Sequence, residues 1–275
     1  MITDFLNAIP SGYTSDNSNE IKTFISAGQS NMDGRNLLTV APIWMDQSNP
    51  IIEKLTMWNV DNGQFDTFEI GSNTGANVNS SAYWGVDMEF YKEYSDYINH
   101  FICAIKRSSG GTAIYNAAND KGCWNTDFVN IPEGTPILLQ ELEARYNDAK
   151  SYAQSFDKTL SVKAVIWFQG SSDVALGNDA ITAYKENFRS VINYIRNTIV
   201  GNSSVPFIFG LQSHNSSEYN VPIMEAGQLE LLTEMTNLYL VDSRYLTMQP
   251  NNLHFDDVST AWYGSEVFNV LKNVI

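Results

Sequence analysis

Val162-Lys163-Ala164-Val165-Ile166-Trp167-Phe168 is an apolar run broken only by Lys163, and Gln169-Gly170-Ser171-Ser172-Asp173 closes it with a polar turn. An apolar run that does not alternate is the pattern of a strand buried on both faces. Working outward, 179–199 reads as an amphipathic helix, 205–211 as a strand, 224–235 as a helix, 238–242 as a strand and 259–274 as a closing helix. On the other side, 135–156 is a long helix with Ile137, Leu138, Leu142 and Tyr146 on one face, and 99–106 is a strand. In 87–100, Met88, Tyr91, Tyr94 and Ile98 recur at spacings of three and four, which predicts a helix. Residues 21–27 form a short apolar strand ending at Gly28, 36–82 read as irregular apart from a strand at 54–59, and 1–20 read as a polar arm or linker end. Alternating short apolar strands and helices predict a parallel sheet with helices on both sides, as one α/β domain over 21–275. In such a sheet the chemistry sits beyond the carboxyl ends of the strands.

Composition narrows the partners. The chain has 275 residues, with 16 Lys plus Arg against 31 Asp plus Glu and a net charge of −15. Nucleic acid and anionic membrane surfaces both need clustered bases, so both are excluded as partners. No run approaches the roughly 18 apolar residues that span a bilayer, and the N-terminus has no signal-peptide pattern. Cys103 and Cys123 are read as free thiols, and without a CxxC or clustered His there is no zinc signature.

The strand ends hold the polar motifs. After the first strand comes Gly28-Gln29-Ser30-Asn31-Met32-Asp33-Gly34-Arg35, a tight strand-to-helix turn that can display Ser30 as a nucleophile or use it as a helix cap. Ser108-Ser109-Gly110-Gly111-Thr112-Ala113-Ile114 is a glycine loop. After Phe168, Gln169 can hold its amide over a pocket, and Ser172 or Asp173 can cap the next helix. Of the three histidines, His100 ends a helix away from any polar cluster, His214 follows a strand on the ligand rim, and His254 has Asn251 three residues upstream. A serine nucleophile needs a base and the base needs an orienting partner, which selects His254 with Asn251.

These blocks resemble those of SGNH hydrolases, and most of all the sialate O-acetylesterase and acetylxylan esterase-like group, carbohydrate esterase family six. The likeness rests on GQSNM at 28–32 with its extension to Arg35, on WFQGSSD at 167–173 and on NNLHFD at 251–256. Gly85 before the 87–100 helix, the Gly110–Ile114 loop and Val241-Asp242-Ser243 continue it in order, from about residue 22 to the C-terminus. The resemblance implies a flavodoxin-like three-layer α/β/α sandwich that removes acetyl groups from sugars and needs no cofactor and no metal. It implies Ser30 as nucleophile and His254 as base. The Ser30 and Gly85 backbone N–H groups and the Gln169 amide become oxyanion donors, and Asn31 and Arg35 support the turn.

Two positions depart from the family pattern. Asn251 stands where the family keeps an Asp, and Ser171 where it keeps a Glu. Three explanations stay open: Asn251 orients His254 through its amide oxygen, or Asp256, Asp257 or Asp173 replaces the missing acid, or the site is weakened. Asp257 also reads as the N-cap of the last helix. Trp124, with Trp84, Tyr83 and Tyr115, sits in loops where an aromatic face can stack on sugar, and His214 and Arg35 join Trp124 as expected substrate contacts. The expected partner is an O-acetylated polysaccharide or oligosaccharide; composition leaves a homo-oligomer open. The competing functions are an SGNH lipase or thioesterase and a weakened acetyl-glycan-binding protein. A charge-poor surface rich in Asn, Ser, Thr and Tyr is that of extracellular proteins or phage tail proteins.

Overall fold

In the computed structural model, residues 19–45, 51–69, 83–217 and 222–275 are described. All but the last two residues of the expected arm at 1–20 lie outside them. In chain order the elements are β1 (Glu20–Gly28), α1 (Ser30–Asp33), β2 (Asn36–Leu37), β3 (Ile51–Asn59), β4 (Gln64–Glu69), β5 (Tyr83–Trp84) and α2 (Met88–Ile98). There follow β6 (Ile102–Ser108), α3 (Leu138–Gln154), β7 (Thr159–Phe168), α4 (Ser171–Leu176) and α5 (Asn178–Tyr194), which runs on as a π-helical turn at Ile195–Val200. The chain ends with β8 (Phe207–Gly210), α6 (Pro222–Glu234), β9 (Leu238–Val241) and α7 (Asp257–Leu271).

The expected α/β fold is what forms. Seven strands lie in the order β4-β3-β6-β1-β7-β8-β9. β1 pairs in parallel with β6 and β7, β7 with β8, β8 with β9 and β3 with β6. The strand alternation sends successive side chains to opposite faces, so each central strand feeds two cores. Ile25, Val165, Trp167 and Phe209 pack under α3, α5 and α6 with Leu142, Phe188 and Leu231. Phe24, Ile166, Phe168 and Ile208 pack under α2 and α7 with Tyr91, Tyr94, Tyr263 and Val267. Cys103 and Cys123 are buried free thiols. Burial pushes the Cys103 thiol up to about 12, so it stays protonated and packs as a small apolar group.

Residues 51–69 are more ordered than expected. β3 and β4 form an antiparallel hairpin on the sheet edge, turned at Asp61-Asn62-Gly63, with Gly63 at φ 68°. Phe65 and Phe68 of β4 plug into opposite cores. Of the segment expected to be irregular, 46–50 and 70–82 lie outside the described residues.

Candidate active site

The turn that carries Ser30 is set by Gly28. Its φ of 142° suits glycine alone, and a Cβ there would meet the Phe168 carbonyl oxygen at 2.1 Å. Gln29 then staples β1 to β7. Its N–H donates to Phe168 O at 2.9 Å, its Oε1 accepts from Gly170 N at 3.1 Å, and its Nε2 donates to Ser171 Oγ. Ser171, where the resemblance implies a Glu, is thus a partner of Gln29. Ser30 opens α1, a single turn closed by Asp33 N to Gln29 O and Gly34 N to Ser30 O. As the first residue of that turn, Ser30 has an N–H with no acceptor inside the helix. Gly85 lies directly against the turn, where a Cβ would come within 2.5 Å of Met32 O.

The His254 loop is clamped onto this turn. Phe255 N donates to Asn31 Oδ1 at 3.1 Å, so the residues following Ser30 and His254 are bonded to one another. Gln249 Nε2 reaches Arg35 O and Asn36 Oδ1 at 3.0 Å and Phe255 O at 3.1 Å, while Asn36 Nδ2 donates to Phe255 O at 3.2 Å and Thr260 Oγ1 at 2.6 Å. Sequence reading missed Gln249 and Asn36, whose neighbours in the chain gave no signal of the contacts they make. Arg35 folds back onto Asp33 Oδ2 at 3.0 Å and the Gly34 carbonyl. A Cβ on Gly110 would stand 2.2 Å from Arg35 Nη2 and 3.4 Å from Ser30 Cβ, which brings Ser30, Arg35 and the glycine loop together. Asp33 is held beneath by Ser108 Oγ at 2.9 Å. Among the described residues neither the Ser30 hydroxyl nor His254 Nε2 has a hydrogen-bond partner.

Burial, and then the Arg35 charge, pull His254 down from 6.5 to about 4. The ring is therefore neutral over the ordinary range. If His254 is the base that the acid limb of kcat/KM reports, that limb falls near pH 4, not 6.5. Arg35→Gln removes the second cause and moves that limb upward in a pH-rate profile of aryl acetate hydrolysis.

Several expected site residues lie elsewhere. Gln169 is fully buried and its amide is spent: Nε2 donates to Thr112 O at 3.0 Å and Asp173 Oδ2 at 2.6 Å, and Oε1 accepts from Tyr184 at 3.1 Å. It cannot serve an oxyanion. Trp124 is also fully buried, edge-on to Trp167 at 5.0 Å with Nε1 on Thr112 Oγ1, so it is core and not a sugar platform. Trp84 is buried with Nε1 on Leu37 O. His214 does sit on the rim, paired with Glu225 at 2.9 Å and beside the exposed ring of Tyr245, which sequence reading passed over.

None of the three substitute acids faces His254. Asp173 caps nothing; its buried carboxylate accepts from Ile114 N, Tyr115 N and Gln169, and burial still raises it to about 6. Asp256 caps α7 through Ser259 N and accepts from Thr247, while Asp257 is the first helical residue and not the cap. Asn251 does lie beside His254, its Nδ2 3.2 Å from Nδ1.

A pocket of about 250 Å³ opens between the 111–123 loop and α4, beginning at Gly111, the neighbour of the Gly110 that faces Ser30. Gly111, Ala113, Ala117, Asn119, Ser172 and Ala175 contribute to its walls, and no ionised side chain lines it. Among the described residues no group of His, Cys, Asp and Glu is arranged to hold a metal ion. No described helix is long and apolar enough to cross a membrane.

Comparison with known proteins bears on the fold and the family. The profile of the family described as carbohydrate esterase, sialic acid-specific acetylesterase matches residues 20–272. No curated protein sequence matches the chain. Among solved structures, a protein from Arabidopsis thaliana superposes with a TM-score of 0.67 at 20% identity, over 94% of this chain and 99% of that one. NanS follows with 0.65 at 15% identity, over 93% and 98%. A carbohydrate acetylesterase from Xanthomonas citri gives 0.57 at 17% identity, with 92% of this chain covering 56% of that one. At these identities the structural likeness shows the shared fold; the profile, which spans nearly the whole chain, shows that this protein belongs to the sialic acid-specific acetylesterase family of carbohydrate esterases.

Proposed function

We propose that the chain removes O-acetyl groups from an uncharged region of a glycan through a Ser30–His254 centre. The observation that carries this reading is that the hydroxyl and the ring nitrogen that lack partners flank the Asn31–Phe255 bond. Ser30 Oγ attacks the acetyl carbonyl as His254 Nε2 takes its proton. The carbonyl–sugar oxygen bond then breaks and the same proton passes to the sugar oxygen. Water, deprotonated by His254, cleaves the acetyl-enzyme to acetate and free Ser30. The Ser30 and Gly85 N–H groups face the oxyanion, at about 2.7–4 kcal/mol for a donor of this kind.

The pocket walled by the 111–123 loop and α4 favours sugar over a fatty acyl chain, because Asn119, Ser172 and loop backbone interrupt its small apolar walls. Such an enzyme works on surface or secreted glycans, outside the cell or on a virion. The test is acetate release from a panel of acetylated oligosaccharides and from an aryl acetate. Filling the pocket with Ala175→Trp is expected to raise KM for the oligosaccharide at least tenfold while leaving aryl acetate turnover in place. An equal loss on both substrates rejects the pocket as the sugar seat. No acetate from any substrate leaves the second reading, an acetyl-glycan binder, which the amide beside His254 favours.

A further inference from the structure

The amide of Asn251 can be oriented by counting hydrogen bonds. Its Oδ1 accepts from Leu253 N at 2.8 Å and from His254 N at 3.1 Å, an Asx turn that shapes the loop. Rotating the amide by half a turn would set its NH₂ against both of those N–H donors. The oxygen is thereby committed to the backbone, and the nitrogen is what remains to face the imidazole, 3.2 Å from Nδ1 and 3.4 Å from Gln249 Oε1. An amide nitrogen only donates. Nδ1 must then present its lone pair, and a neutral imidazole carries its single proton on Nε2. A base for Ser30 needs the opposite tautomer, with Nε2 free and Nδ1 protonated. That tautomer would point N–H at N–H.

Resting on the Ser30–His254 reading, we propose that Asn251 is a brake: it holds His254 in the tautomer that cannot accept the Ser30 proton. Turnover passes through a minor tautomer whose Nδ1–H has lost its partner. The loop is otherwise built for a carboxylate. An Asp in the same place keeps one oxygen on Leu253 N and His254 N and aims the other at Nδ1–H. The charged groups around the ring are Arg35 and, behind it, Asp33, which is already bound to Arg35 and Ser108. Among the described residues no second carboxylate competes for Nδ1, since Asp173, Asp256 and Asp257 are placed elsewhere. Asn251 is therefore a positioning residue with a negative sign.

The sign separates this proposal from the alternative in which Asn251 orients the base usefully. Asn251→Asp is expected to raise kcat on an aryl acetate by about 10³-fold, somewhat under the ~10⁴ lost in the reverse change in a serine protease. Its acid limb should also move up, because a carboxylate stabilises the imidazolium. Asn251→Ala, which frees Nδ1 for water, is expected to match or exceed the wild type. Nitrogen-15 shifts of the His254 ring in the wild-type protein read the tautomer without reference to activity, and should place the proton on Nε2. A proton on Nδ1, or a wild type faster than both variants, overturns the brake. If Ser30→Ala retains full activity in every background, the esterase centre itself is misplaced, and the tautomer measurement still decides the geometry.

Discussion

Ser30→Ala should cut acetate release from an aryl acetate by about 10³-fold in the wild type and by about 10⁵–10⁶-fold in the Asn251→Asp background. Removing the nucleophile of a subtilisin-like centre costs about 2 × 10⁶ in kcat, and a residual 10³–10⁴ over water survives from the oxyanion donors and binding. That floor does not depend on Ser30. If Asn251 already suppresses the wild-type rate by about 10³, the distance from wild type to floor shrinks by the same factor, since residues that act as a unit are not additive. The fold should not respond. The Ser30 hydroxyl has no hydrogen-bond partner among the described residues, and α1 is closed by backbone bonds from Asp33 and Gly34. Paired measurements of kcat and thermal midpoint check both halves. Equal losses in the two backgrounds would contradict a shared Ser–His unit.

The same contrast between backbone and side chain explains what could be read from the sequence. β7 was legible because a strand covered on both faces must be apolar at every position, and Val165, Ile166, Trp167 and Phe168 feed the two cores in alternation. β4 was not, because an edge strand carries Asp66 and Thr67 between its two phenylalanines and Gln64 and Glu69 at its ends. The Asp-Asn-Gly turn was the available signal. The Ser30 turn and the His254 loop were legible from motif and spacing, and the Asn31–Phe255 bond brings the two together. The role of Gln169 was not: a strand-end position predicts the rim, but its amide is consumed by Asp173 four residues on and by Tyr184 and Thr112, 15 and 57 residues away along the chain. Trp124 failed for the same reason, since Thr112 and Trp167 draw it under the glycine loop. For Asn251 the spacing supplied the neighbour correctly. Which of its two amide atoms faces the ring follows from the Leu253 and His254 N–H groups, and these are visible only once the turn is formed.

The glycine that ends β1 carries the other large effect, this time on stability. Gly28 pairs with Phe168 across the β1–β7 ladder, and the Gln29 N–H bonds the same Phe168 carbonyl at 2.9 Å. A Cβ at Gly28 falls 2.1 Å from that oxygen and 2.8 Å from its carbon, both backbone atoms in the middle of the sheet. A flexible side chain could swing aside; these atoms can move only if the ladder breaks. The substitution also imposes a φ of 142° on a residue with a side chain. Gly63→Ala isolates the conformational part. Gly63 has a positive φ of 68° with nothing within 4 Å of its Cβ, so that variant should lose only about 1 kcal/mol. Gly28→Ala should lose more than about 4 kcal/mol, which for a chain of this size lowers the thermal midpoint by roughly 8–16 °C or prevents folding. The Gln29 staple goes with it, so whatever fraction folds should turn over more slowly than the intact protein. If the two alanine variants unfold at the same denaturant midpoint, the close approach of β1 to β7 is not what positions Ser30.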